Sequence, residues 1–479
     1  MNDDDGWSER ALAATEVLEA IVADRGALTR LPPDLRQRLL IAAGQATKPD
    51  KKALRAMHRA HRKNDKQRDR DRDEAVLART GIRTLRANPL FETPRRLGVA
   101  EPTPDPVGEV DEARTCYVCR REYRTIHHFY DQMCVECGDF NYDKRSQTAD
   151  LRGRVALVTG ARVKIGYQAS ILMLRAGCTV VATTRFPHDA ARRYAAEADF
   201  ADWADRLHIH GIDLRRTPAV EALCDHLASS LPRLDFIINN ACQTVRRPPG
   251  FYAHLMDGEN QPLLSDGAAS LLAPTVAVTG DHAALSQIPL LEGDHDRSER
   301  WFPAGRYDAD LQQIDLRVNN SWRLKLAEVP TIELLEVHLV NAVAPYVLNG
   351  RLKSLMMRTP ERDKHIVNVS AMEGQFYRTH KSDRHPHTNM AKAALNMMTR
   401  TSAADYAECG IHMNSVDTGW VTDEDPAAKA DEKRSMHGFH PPLDIVDGAA
   451  RIIDPIFEGF RTGRHTWGLF LKDYRATDW

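Results

Sequence analysis

Residues Arg154–Gly166 read RVALVTGARVKIG, and the organisation of the chain follows from them. Val155–Val158 is a short apolar run with β-branched residues, the pattern of a strand buried on both faces of a parallel sheet. Thr159-Gly160 turns the chain. From Gly166 the apolar spacing becomes helical, through Ala169, Ile171, Leu172, Leu174 and Ala176, and stops at Gly177. A second strand, Thr179–Thr184, follows at once. A glycine turn between strand and helix presents backbone N–H groups and a positive helix end to a pyrophosphate. The stretch therefore predicts a nucleotide-binding βα unit.

At 479 residues the chain has material for two or three domains. A net charge of −2 with 28% charged residues excludes a general attraction to polyanions. The start, MNDDDGW, is acidic and lacks the apolar segment of a signal peptide. No stretch approaches the roughly 18 apolar residues of a membrane span, so no membrane association is expected. Of eight cysteines, four cluster and four are scattered through apolar elements, which fits a reducing, cytoplasmic setting.

Beyond the opening unit, strands and helices alternate. A third strand, Leu207–Leu214, ends in Asp213-Leu214, and an amphipathic helix follows over Pro218–Leu231. The fourth strand, Leu234–Ile238, runs into Asn239-Asn240-Ala241-Cys242. The order then breaks over about 243–327, an insertion with the composition of a lid or an interaction surface. Helical spacing resumes at Ile332 and carries Asn341. His365–Val369 is a fifth strand followed by Ser370-Ala371-Met372-Glu373-Gly374, Gln375–His387 a loop, and Thr388–Ala407 a helix containing Lys392. Ile411–Thr418 is a sixth strand leading into Gly419-Trp420-Val421-Thr422. Val446–Phe457 and Trp467–Leu471 supply a closing helix and strand. The pattern predicts an α/β fold over 151–479, a doubly wound parallel sheet of Rossmann type.

These motifs resemble the short-chain dehydrogenase/reductase family, whose first turn runs Thr-Gly-x-x-x-Gly-x-Gly. Thr159, Gly160 and Gly166 match, and Lys164 stands at the middle glycine. The resemblance implies an NAD(P)-dependent oxidoreductase acting on a carbonyl or alcohol. It assigns Thr159, Gly160, Arg162, Lys164, Ile165 and Gly166 to the phosphates and Asp213 and Leu214 to the adenine. Asn240 and Ala241, and Gly419 and Val421 near the nicotinamide, complete the cofactor set. Thr184 stands where NAD-preferring relatives often carry an acid. Arg185 beside it can receive a 2′-phosphate, which favours NADP(H) over NAD(H), with a plain surface arginine as the other reading.

For catalysis the resemblance assigns Lys392 to the nicotinamide ribose. Asn341 is implied to bend its helix and hold a water near that lysine. The family's tyrosine, four residues before the lysine, is Thr388 here, and an aliphatic hydroxyl is too weak an acid to replace a phenol. Ser370 takes the first place of the family's Ser-Ser pair and Ala371 the second. His387 and Tyr377, with Tyr252 or Tyr307 from the insertion, are the candidate proton donors. The histidine-rich loop His380–His387 has no regular ligand spacing. A second reading remains open, a non-catalytic dinucleotide-binding sensor or scaffold. Family habit implies a homo-oligomer.

The N-terminal part is expected to divide into a helical region (1–87), a proline-rich linker (88–111) and a small ribbon (112–145). Lys51–Arg72 holds ten Lys or Arg against three Asp. It reads either as a contact for nucleic acid or another acidic partner, or as a solvated helix. Cys116-x2-Cys119 and Cys134-x2-Cys137, fourteen residues apart, have the spacing of a four-thiolate zinc site. Four cysteine ligands leave no open position, so such a metal is structural. His127 and His128 read as packing residues. The ribbon is expected to bind a protein or nucleic-acid partner or to dock on the next domain.

Overall fold

The computed structural model describes residues 4–94, 104–263, 265–274, 281–377, 381–437 and 440–479. The chain forms two compact units, Met1–Glu74 and Ala75–Trp479. The first contains α1 (Asp4–Ala23), α2 (Pro33–Thr47) and most of α3 (Lys51–Leu77). Pro33 opens α2 where its missing N–H costs nothing. The basic stretch lies in α3, where Arg72 pairs with Asp69 at 2.6 Å and Arg68 pairs with Asp65. Its later charges thus partly neutralise one another.

The second unit is built on an eight-stranded sheet. Its strands are β3 (Val155–Thr159), β4 (Thr179–Thr184), β5 (Leu207–Gly211), β6 (Phe236–Asn239), β7 (Lys364–Ser370), β8 (Ile411–Asp417), β9 (Phe470–Lys472) and β10 (Arg475–Thr477). The spatial order is β10-β9-β8-β7-β6-β3-β4-β5, parallel except for the final β9–β10 hairpin. The order reverses between β3 and β6, and such a reversal opens a crevice at the carboxyl ends of the strands. The third and sixth strands stop earlier than expected, so Asp213, Leu214 and Thr418 lie in loops on that edge.

Helices cover both faces. Helix α6 (Lys164–Arg175), α7 (Pro187–Ala195) and α16 (Ile445–Thr462) pack on one side, with Val158, Ile238, Val367 and Val416 turned toward them. On the other side lie α8 (Thr217–Ser230), α13 (Ala344–Met356) and α14 (Pro386–Glu408), meeting Leu157, Ile237, Ile366 and Met413. The alternation of these strand residues is the two-residue period of a sheet with two buried faces. Helix α14 begins at Pro386, which places His387 inside its first turn rather than in a loop.

Helix α12 (Thr331–His338) continues into α13 through a π-helical turn, Leu339–Val343, that carries Asn341. The bend expected at Asn341 is this turn. Over Thr331–Met356 the mean hydropathy reaches 1.3, long and apolar enough to cross a bilayer by composition, contrary to the sequence expectation. In the fold, Leu348, Leu352 and Leu355 of this stretch bury against the sheet, and Glu333 and Glu336 are buried as well.

The insertion forms α9 (Pro249–Asn260) and two single turns, α10 (Asp266–Ala269) and α11 (His282–Leu285). Ile209 of edge strand β5 donates to Leu271 O at 2.7 Å and accepts from Ala273 N at 2.9 Å. One part of the insertion thus covers the open edge of the sheet. After β8 the chain forms α15 (Ala427–His437) before α16.

The small N-terminal module departs from the expected boundaries. Strands β1 (Gly108–Thr115) and β2 (Glu122–Ile126) pair antiparallel, followed by α5 (Val135–Arg145), so the linker ends before Gly108. Helix α4 (Gly81–Ala87) belongs to the same body: Ile82 N donates to Phe129 O at 2.9 Å, and Ile82 buries beside Cys116 and Met133. An apolar Ile-Leu pair in a seven-residue helix has too little surface to fold alone, and the ribbon supplies its core.

The ribbon sits on α16. Arg145 donates to both Asp444 (2.7 Å) and Asp447 (2.8 Å), Tyr130 donates to Asp447 at 2.5 Å, and Lys144 pairs with Asp454 at 2.6 Å. Arg451 donates to Asn141 at 2.9 Å. Helix α16 therefore packs on β7 and β8 beside α6 and is covered by α5, and most of its length is buried.

Candidate active site

The first turn closes tightly. Gly160 has φ +67°, and a side chain there would strike the backbone of Ala241. At Gly166 a Cβ would collide with Asn240 and with Gly160 O. Asn240 Nδ2 donates to Thr159 O (3.0 Å) and Gly160 O (3.2 Å), and Ala241 N donates to Thr159 Oγ1 at 3.0 Å. Thr159 is buried beneath the turn as a brace, whereas Gly160, Lys164, Ile165, Gly166, Asn240 and Ala241 line the crevice. Lys164 has φ +57°, the left-handed conformation that a glycine adopts without cost and other residues adopt at about 1–2 kcal/mol. The family's glycine at this place thus has a visible backbone reason.

Arginines crowd the end of the crevice beside β4 and β5. Arg185 Nη2 donates to Tyr252 Oη at 2.7 Å, and its guanidinium lies 4.5 Å from that ring. Burial pushes the Tyr252 phenol up, but Arg185, Arg247 and Arg162 outweigh it and hold the phenol below its ordinary value. Arg162 is engaged within the protein, donating to Asp189 (2.7 Å) and Gln312 (3.0 Å). Asp213 is likewise taken: Arg215 grips its carboxylate at 2.5 Å and reaches Glu336 at 2.6 Å. Arg215 was not foreseen in the sequence, although a D-L-R-R run at a strand end carries the signal.

At the other end lie Ser370, Thr388 and Lys392. All three line the crevice and are buried. Among the described residues the hydroxyls of Ser370 and Thr388 have no hydrogen-bond partner, and Lys392 Nζ donates to Val369 O at 2.7 Å. Gly419 (φ +76°) and Val421 line the same end. Asn341 does not. Its side chain accepts from Gln243 N at 2.7 Å and donates to Gln243 O at 3.3 Å, fixing the start of the insertion.

Two residues absent from the sequence expectation complete this end. Tyr117 of the ribbon lines it, its hydroxyl accepting from Trp420 N at 3.0 Å. Asp417, the last residue of β8, lines it too and accepts from Met372 N at 3.2 Å. Burial pushes the Asp417 carboxyl up to about 6. The whole crevice has a volume of about 1790 Å³.

The expected substitute donors fall elsewhere. Tyr377 is 95% exposed, on a loop that points it into solvent. His387 is buried against Glu333, 3.5 Å away, and is not among the crevice residues, because Pro386 and His387 set the first turn of α14 with that side chain toward α12. Tyr307 is 41% exposed, its ring tilted against that of His254 outside the crevice lining, leaving Tyr252 beside Arg185 at the far end. Of the histidine-rich loop, 378–380 lie outside the described residues. The insertion does contribute walls: Arg247, Tyr252, Gln312, Asn320 and Trp322 line the crevice.

In the ribbon, one sulfur from each of Cys116, Cys119, Cys134 and Cys137 lies within 4.8 Å of the others. Cys119 and Cys134 sulfurs are 3.8 Å apart. Sulfurs about 2.3 Å from a tetrahedral zinc are separated by just such distances, so the donor set fits that ion. His127 stands apart from the four sulfurs, its Nδ1 accepting from Phe129 N (3.0 Å) and Tyr130 N (3.1 Å) while Nε2 meets Asp139.

Comparison with known proteins agrees with this architecture. The short chain dehydrogenase family profile matches residues 154–255, and the enoyl-(acyl carrier protein) reductase profile matches 304–441. The interval between them falls inside the insertion. An uncharacterised protein of Acanthamoeba polyphaga mimivirus is 32% identical over 373 residues, 75% of this chain and 74% of that protein. The 1-cyclohexenylcarbonyl-CoA reductase of Streptomyces collinus is 35% identical over 101 residues, covering 21% of this chain and 35% of the enzyme. The NADPH-bound carbonyl reductase from chicken fatty liver superposes with a TM-score of 0.43 at 17% identity, covering 69% of this chain and all of that one. Two family profiles in sequence order on one doubly wound sheet, together with the Thr159–Gly166 turn and Lys392, place this chain in the short-chain dehydrogenase/reductase family.

Proposed function

We propose that the protein is an NADP(H)-dependent oxidoreductase that interconverts a carbonyl and an alcohol, with a structural zinc in its ribbon. One observation carries the reading. Among the described residues the buried hydroxyls of Ser370 and Thr388 have no partner and line the same crevice as the Gly160–Gly166 turn, as does Lys392. Buried polar atoms without partners mark a place made for a ligand. When bound, the nicotinamide exchanges the hydride. The chain's own residues do the rest: Lys392 holds the ribose hydroxyls, Ser370 and Thr388 orient the substrate oxygen, and the N-terminus of α6 with Lys164 meets the pyrophosphate.

The group of Arg185, Arg247 and Arg162 around Tyr252 supports a phosphorylated ribose over a plain one. Their charge makes a 2′-phosphate welcome, and Thr184, not an acid, stands at the end of β4 where ribose hydroxyls would be held. The four-cysteine cluster supports zinc held by Cys116, Cys119, Cys134 and Cys137. Exposed Leu335, Val343, Tyr346, Met390 and Met397 on α12–α14 support association of identical copies. The exposed basic face of α3 supports an acidic partner, and eight free cysteines support a reducing, cytoplasmic setting.

Fluorescence titration with NADPH and NADH tests the reading, followed by an aldehyde and ketone panel monitored at the nicotinamide absorbance. NADPH is expected to bind at least ~10-fold more tightly than NADH, with the difference lost in Arg185→Ala. Failure of both nucleotides to bind overturns it.

A further inference from the structure

Resting on that reading, we propose that Asp417 is the acid–base group that exchanges a proton with the substrate oxygen, in the role a phenol plays in the family. Thr388 cannot fill it, and Tyr377, His387 and Tyr307 lie outside the crevice. Topology places Asp417 beside Ser370, at the end of the crevice that Thr388 also lines. It pairs in register with Ser370, the last residue of β7, and adjacent strands run about 4.8 Å apart. Asn368 and Ser415, two residues earlier on each strand, both bond Thr399 Oγ1 of α14, at 2.9 and 2.8 Å. The two-residue period then turns Ser370 and Asp417 to that same face, the one from which Thr388 and Lys392 project.

Asp417 makes no ion pair among the described residues, although cations are near. Lys472 pairs with Asp473 at 2.9 Å, and Arg451 donates to Asp473 at 2.9 Å. The groups facing the carboxyl are Glu373 from the turn after β7, Lys472 and Asp473 from the end of β9, Arg451 from α16 and Tyr117 from the ribbon. Lys392 of α14 lines the same crevice, its Nζ donating to Val369 O. Burial outweighs the two cations, so the carboxyl titrates near neutrality, where an acid–base catalyst works best. Met372 N–H holds the carboxyl in place through Oδ1.

In the reduction direction a hydride from the reduced nicotinamide dinucleotide forms the new C–H bond as the C=O π bond breaks. The Asp417 O–H bond breaks at the same time and its proton forms the alcohol O–H. The dinucleotide is oxidised, the carbonyl is reduced, and the carboxylate left behind regains a proton from water. In the alcohol-oxidising direction each transfer reverses and the carboxylate accepts the proton.

The test uses full-length protein and needs no known substrate. NADP+ and NADPH affinities are measured from pH 5 to 8 in wild type and Asp417→Asn, which keeps the acceptor for Met372 N–H. An ionised carboxylate beside the ring attracts the positively charged oxidised form. The NADP+ to NADPH affinity ratio should therefore rise on the order of tenfold with pH in wild type and stay flat in the variant. The 2′-phosphate titrates alike in both nucleotides and cancels in the ratio. A flat wild-type ratio, or an equal slope in the variant, overturns the role of Asp417, and the wild-type arm decides even if the variant does not fold. Absence of binding by either nucleotide instead overturns the dinucleotide reading itself. Where a panel carbonyl is turned over, Asp417→Asn should lower kcat about 100-fold or more with little change in NADPH affinity.

Discussion

Asp417 couples protonation to folding. Its folded carboxyl titrates at about 6, against an ordinary value of 3.8, because burial disfavours the charge. A raised carboxyl binds its proton more tightly in the folded state, so its stabilising contribution is full below pH 4 and is lost as pH rises through 6. Two pKa units correspond to about 3 kcal/mol. Asp417→Asn should accordingly be more stable than wild type in urea at pH 8, by up to about 3 kcal/mol, and converge with it at pH 4. Lys164 gives a second prediction. Replacing it with glycine relieves the left-handed backbone but frees the unfolded chain, so stability should change by no more than about 1 kcal/mol. Lys164→Val should cost more than 1 kcal/mol in the same melts. Ser370, Thr388 and Lys392 were legible because strand ends and helix turns fix their offsets. Asp417 was not, since an acid at a strand end looks like any turn residue until its neighbours bury it.

At the scale of elements, the ribbon and α16 act as one body. Arg145→Ala would leave Asp444 and Asp447 buried without their cation, and breaking such a group costs about 3–5 kcal/mol. A loss of that size in denaturant titration is expected. Metal removal reaches further. Tyr117 stands between two of the cysteines and its hydroxyl accepts from Trp420 N at the crevice. Chelation of the proposed zinc should therefore weaken NADPH binding as well as lower the melting temperature, both restored by zinc. The sequence showed the strand–helix alternation, because periodicity is local, while the bend at Asn341 came only from the family resemblance. It did not show that α4 belongs with the ribbon, nor that β1 starts at Gly108. Those depend on partners supplied from elsewhere in the chain, such as Phe129 for Ile82 and Ile126 for Gly108.

For the molecule as a whole, the division at Glu74 predicts that residues 75–479 fold without the preceding helices. The shortened chain should keep the NADPH affinity and melting temperature of the full one within error, measured side by side by fluorescence and calorimetry. The position of the ribbon has a consequence for biosynthesis. Arg145 and its partner Asp444 are 299 residues apart, and the partner helix lies near the end of the chain. At about 5–20 residues per second, the ribosome needs roughly 15–60 s to deliver that helix after the ribbon has emerged. Throughout this interval the docking face is bare, and in the proposed zinc-bound form the four cysteines on the ion hold the ribbon together. On that reading, how much of the protein matures should depend on the cell's supply of the ion at the moment of translation.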